Sequence, residues 1–125
     1  MQNLIHLPVA NFTLDKPNAG GLAVDSHSFF KVLDKKISSG LYITMGQHPT
    51  ASDIAGKVLG YEYKDERLKL AVQPLGHEYF NRFVKDKVDF DITPMINITN
   101  EGENWIVNAI QLFYVSVNAP QKASV

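Results

Sequence analysis

The chain has no cysteine among its 125 residues. That excludes disulfides, thiolate metal sites and a cysteine nucleophile, and it suits a reducing compartment. Neither sign of charge is in excess: twelve Lys and Arg stand against thirteen Asp and Glu, for a formal net charge of −1. A binder of phosphate backbones would carry a basic stripe, whereas these lysines are scattered along the chain, so no direct nucleic-acid contact is expected. No apolar run reaches the length of a membrane span, and the opening MQNLIHLPVANF lacks the basic head and long apolar stretch of a secretory signal. No membrane partner is therefore expected, and the sequons Asn11-Phe12-Thr13 and Asn97-Ile98-Thr99 are read as chance matches. The eight glycines form no phosphate-cradling GxGxxG or GxxxxGKS pattern. The histidines His6, His27, His48 and His77 are not spaced as HxxxH or HExxH, so neither a metal nor another cofactor is expected.

What is present suffices for one domain: 45% of the residues are hydrophobic, enough for a core at this length. Residues 1–20 carry two prolines and end in KPNAGG. They read as an extended N-terminal arm reaching a neighbouring subunit, or as an edge strand of the same domain. Asp25-Ser26 caps a helix with Phe29, Leu33 and Ile37 on one face and Phe30 beside them, and Ser38-Ser39-Gly40 ends it. Residues 41–45 form a short strand and residues 54–63 a second one. Residues 67–73 alternate, with Leu68, Leu70 and Val72 facing one way and Lys69, Ala71 and Gln73 the other, which predicts a hairpin with one wet face. Gly56 and Gly60 inside a strand mark a bulge or a barrel bend. Helical spacing follows over residues 77–86, with Phe80, Phe83 and Val84 on one side, and then a strand over 88–99 in which Pro94 implies an edge, a bulge or a bend. After a turn at Asn100-Glu101-Gly102-Glu103, residues 105–117 form the longest strand. It is apolar on both faces, so it is central or lies under another chain. The expected architecture is α+β: a small, mostly antiparallel β-barrel over residues 21–117 with two short helices, the arm before it and a flexible tail at 118–125.

Two groups of side chains carry candidate chemistry. Asp89 and Asp91 lie two apart on one strand face, where paired carboxylates share a proton or hold a cation, or form a solvated strand face. Tyr61 and Tyr63 share a face and, with Trp105, would make a base-stacking platform on an OB-fold, whose element order is similar; packing is the alternative use for these rings.

The succession KPNAGGLAVDSHSFFKVLDKK, GQHP, IAGKVLGYEYKDERLKLAVQPLG, a helix, and VKDKVDFDITPMI resembles the capsid-maturation (prohead) proteases of tailed bacteriophages, which share a fold with the herpesvirus assemblins. Pro17-Asn18-Ala19-Gly20-Gly21 resembles the family's Asn-containing turn before a helix. Gly46-Gln47-His48-Pro49 is similar to the segment bearing its catalytic histidine, and Ala55-Gly56-Lys57-Val58 and Leu68-Lys69-Leu70 are similar to its Gly-Lys-Val strand and the hairpin partner. The resemblance spans residues 17–96. It implies a nucleophilic serine at a position that is here Asp91, and a carboxylate does not readily form the acyl-enzyme on which serine proteolysis depends. Thr93, the nearest hydroxyl in sequence, is displaced by roughly 6–7 Å along the strand. His48 and Asp91 are thus expected to be vestigial. The resemblance implies a non-catalytic virion protein, a capsid decoration (cement) protein on the shell exterior that is made in the host cytoplasm. It would bind the major capsid protein and itself as a homo-oligomer, with a trimer fitting three-fold positions. The alternatives are an active maturation protease, an OB-fold-like single-strand binder, and a phage-encoded inhibitor of a host protein.

Overall fold

The computed structural model describes residues 4–9, 13–17, 23–46, 50–87, 90–102 and 104–117. In chain order it contains β1 (Ile5–Pro8), β2 (Ala23–Val24), α1 (Ser26–Ser39), β3 (Tyr42–Thr44), β4 (Ile54–Lys64), β5 (Arg67–Pro74), α2 (Glu78–Lys85), β6 (Phe90–Glu101) and β7 (Asn104–Val117). A 3-10 turn, Ala51–Asp53, leads into β4. Among the described residues no helix is long and apolar enough to cross a membrane.

The seven strands form one mixed sheet in the order β1-β5-β4-β3-β7. β6 runs antiparallel along the length of β7, while β3 and β2 pair parallel with it at opposite ends. The alternation in β5 is realised fully: Leu68, Leu70 and Val72 are buried, and Lys69 between them is exposed. Tight packing explains Gly56, where a Cβ would stand 2.6 Å from Val72 Cγ1 and 3.2 Å from the Gln73 carbonyl oxygen. Near Gly60 the β4–β5 register slips, leaving Leu59 as a bulged, exposed residue.

One expectation is corrected. The sheet does not close into a barrel. Among the described residues its end strands β1 and β6 meet at one bridge, Val9 with Ile92. β1 has only four residues against twelve in β6, and Pro8, whose backbone faces away from β5, lacks the N–H that a ladder there would use. Pro94 fits this open arrangement. It shares the backbone direction of Ile92, which turns toward Val9, so the N–H it lacks would have pointed away from β7. Residues 5–8 pair within the same sheet. Ile5 stands opposite Val72 and Leu7 opposite Leu70, and Leu7, Val9 and Leu14 belong to the core. The edge-strand alternative is the one residues 5–8 adopt, because the apolar edge of β5 needs cover.

The helices follow their capping signals. The Asp25 carboxylate accepts the Ser28 N–H at 2.8 Å, and Asp15 accepts that of Ser26 at 2.9 Å, which satisfies orphan donors of the first turn. Gly40 closes α1 at φ 121°, its N–H bonded to the Lys36 carbonyl. Phe29 and Leu33 are buried beneath the helix. In α2, His77 is the N-cap, Phe80 enters the core, and the Phe80 and Phe83 rings lie 6.2 and 6.3 Å from Phe90.

Ser28 joins α1 to the sheet. Its hydroxyl donates to the Asp25 carbonyl at 3.1 Å and accepts the N–H of buried Val107 at 2.9 Å. Ser28→Ala leaves that N–H without its acceptor, so a loss of about 1–3 kcal/mol is expected by urea denaturation. Ser28→Thr, which keeps a hydroxyl, should lose less. Equal midpoints for wild type and Ser28→Ala would refute the account.

Candidate functional site

The site begins at the N-terminal end of β6. Asp91 stands opposite Ser116 of β7, and Thr93 stands opposite Tyr114. Ile92 between them is 1% exposed and faces the core, so Asp91 and Thr93 project from the other sheet face, where both are half-buried. Tyr114 is also the parallel partner of Thr44 on β3. Thr44, Tyr114 and Thr93 therefore form a row across three strands, and the Asp91–Ser116 pair stands one step beyond it. The Thr44 hydroxyl, on a residue only 3% exposed, donates to the Gly46 carbonyl at 2.9 Å and holds the chain as it leaves β3.

His48 and Asp89 lie outside the described residues. The flanks of the His48 segment are described: Gly46 continues from β3 toward the Asp91 end, and on the far side Asp53 accepts the Thr50 N–H at 2.8 Å in a capping box. Sequence reasoning missed Ser116. If the β6–β7 hairpin were regular from its turn at Gly102, Asp91 would face Tyr114. The extra residues Asn108 and Gln111 each bulge from β7 and together shift the register by two, which brings Ser116 opposite Asp91. Chemically, the site sets the Asp91 carboxylate beside the hydroxyl-bearing Thr93 and Ser116.

An open groove of about 540 Å³ runs along this end of the molecule. Met45 and Asp53 form one wall, and His77, Tyr79 and Phe83 form the other. Tyr79 is 59% exposed, with the Arg82 guanidinium 5.7 Å from its ring centre.

The other candidate residues are dispersed. His6 lies on β1 and His27 on α1, both exposed, while His77 Nδ1 accepts the Phe80 N–H at 3.3 Å. Among the described residues no three His, Asp or Glu side chains are grouped to hold a metal. The aromatic platform does not assemble. Tyr61 stacks on Phe30 at 5.4 Å and Tyr63 meets the same ring edge-on at 5.3 Å, so both pack against α1. Trp105 stands on β7 between Val24 and Asn100.

Tyr61 has one further property. Its hydroxyl donates to Asp34 at 2.7 Å, and burial, then that hydrogen bond, then the carboxylate's charge push the phenol from 10.0 up to about 12. The folded state favours the neutral phenol. Its contribution to stability is complete below the unfolded value of 10.0 and is lost as pH rises through about 12. Phenolate absorbance should show a late-ionising tyrosine that Tyr61→Phe removes, and persistence of that late step in the variant would contradict the assignment.

No protein-family model and no curated protein matches the sequence. Among solved structures the chain is similar to the capsid assembly protease of bacteriophage T4, gp21, with a TM-score of 0.58 and 10% identity over 90% of this chain and 77% of that one. At that identity the likeness is one of fold: this chain folds like a phage capsid assembly protease.

Proposed function

We propose that the chain is a non-catalytic protein of a tailed-phage head, a decoration protein bound to the major capsid protein on the outside of the shell. The observation that carries this reading is Asp91, a half-buried carboxylate at the position where the protease resemblance calls for the nucleophilic serine. A protease fold without its nucleophile keeps its surfaces and loses its chemistry. The outward face of β6 and β7 supplies contact area through Met95, Leu112 and Tyr114, all half-buried and none charged. Self-association, with a trimer fitting three-fold positions of a shell, belongs to the same proposal.

The test combines co-sedimentation with capsids and mass spectrometry of capsid and scaffold proteins after incubation with the chain. Stoichiometric pelleting without new peptide termini is the expected result. Specific cleavage that disappears in His48→Ala would overturn the proposal in favour of an active maturation protease, for which Thr93 and Ser116 are the hydroxyls at hand.

A further inference from the structure

We infer that the cleft between α1 and the bulged stretch of β7 is a docking groove for an extended acidic peptide segment of a partner protein. Lys31, Lys35 and Lys36 lie along its helical wall, with Val32 beside them. Burial of Phe29 and Leu33 fixes the rotation of α1 and so aims these lysines along the cleft. The facing wall presents Asn108 and Gln111, the two residues that bulge out of register against β6. The cleft has a volume of about 410 Å³, within the size range of sites that hold small ligands or a short peptide stretch.

Charge identifies the occupant. Among the described residues no carboxylate lines the cleft. The ion pairs present among the described residues, Lys16 with Glu66 and Arg82 with Glu78, lie elsewhere and leave all three cleft lysines unpaired. Asp34, the carboxylate nearest to them on α1, is turned to Tyr61 on β4. Lys31 and Lys35 are one helical turn apart, so they repel each other, and neither forms an ion pair with Asp34, whose carboxylate accepts from Tyr61. A row of carboxylates from outside would neutralise this field. The rest of the lining suits a peptide. The Asn108 and Gln111 amide nitrogens are held by Thr99 and Asn97 on β6, which leaves their carbonyl oxygens to accept backbone N–H groups, and Val32 receives an apolar side chain. A nucleic acid fits less well, because the described residues of the lining include no arginine for bidentate phosphate contacts and no aromatic ring for base stacking.

The inference rests on the proposed capsid role only for where the partner is found; the groove itself is tested without capsids. The full chain is titrated by fluorescence anisotropy against three labelled probes: a peptide of alternating Glu and Leu, the same peptide with Lys for Glu, and an oligo-dT strand. The Glu peptide should bind with micromolar affinity and weaken with added salt. The triple variant Lys31→Gln, Lys35→Gln, Lys36→Gln should lose roughly tenfold or more in affinity. A control variant at exposed lysines elsewhere, Lys64→Gln, Lys69→Gln, Lys87→Gln, should bind like wild type, with thermal melts confirming that both variants fold. Absence of Glu-peptide binding, equal losses in the two variants, or tighter binding of oligo-dT would each overturn the inference. Peptide binding without capsid co-sedimentation would overturn the capsid proposal alone.

Discussion

Deleting residues 1–9 is expected to abolish the cooperative unfolding transition or to lower its midpoint severely. The deletion removes all of β1, together with Leu7 and Val9, which are only 8% and 6% exposed. Burying each such side chain stabilises by about 1.5–3 kcal/mol, so the apolar loss alone is roughly 3–6 kcal/mol. A domain's whole stability is about 5–15 kcal/mol. The backbone adds to the effect: β5 would become an exposed edge with unpaired N–H and C=O groups over a strand carrying Leu68, Leu70 and Val72, a template for aggregation. Circular dichroism melts and size-exclusion chromatography check both consequences. His6→Ala, on the exposed face of the same strand, should shift stability by no more than about 0.5 kcal/mol. A truncated chain that melts like the full one would restore residues 1–20 to the role of a separate arm.

Phe113→Ala should produce the second large effect. Phe113 is fully buried on β7, facing Ile43 of β3 on one side and Pro94 of β6 on the other, so its ring fills space where three strands meet. Removing it costs the transfer energy of the ring plus the cavity left behind, about 3–5 kcal/mol. For a chain of this length that corresponds to a fall in Tm of roughly 10–20 °C. Leu59→Ala, at the exposed bulge of β4, should change stability by no more than about 0.5 kcal/mol. Comparable losses in the two variants would show that the core is not centred on β7.

The candidate site was legible in part. The side chains of Asp91 and Thr93 could be assigned to one face because strand alternation is a local rule, and β6 obeys it. Ser116 could not be paired with Asp91 from sequence. Asn108 and Gln111 carry no mark that distinguishes a bulged residue from one in the ladder, and two undetected bulges displace every partner beyond them. The lysine groove was hidden for a related reason. Lys31, Lys35 and Lys36 are unremarkable on the exposed side of an amphipathic helix until β7 is known to run beside them.

By itself, the sequence determined the features that form within a few residues. Asp25 and Gly40 bound α1, and His77 and Asp86 cap the ends of α2, because caps satisfy donors and acceptors one turn away. Leu68, Leu70 and Val72 face inward because a strand alternates, and Tyr61 and Tyr63 share a face for the same reason. Tertiary structure alone decided which edges meet. β3 lies parallel to β7, β2 joins the far end of the same strand, β1 turns back onto β5 instead of extending as an arm, and the sheet stays open at Val9 and Ile92. Residues 1–20 were read from their prolines and glycines, and those residue types do not name the surface that Ile5 and Leu7 cover. Such pairings are chosen by the apolar area and backbone hydrogen bonds that the whole chain can satisfy at once, a balance that no local period encodes.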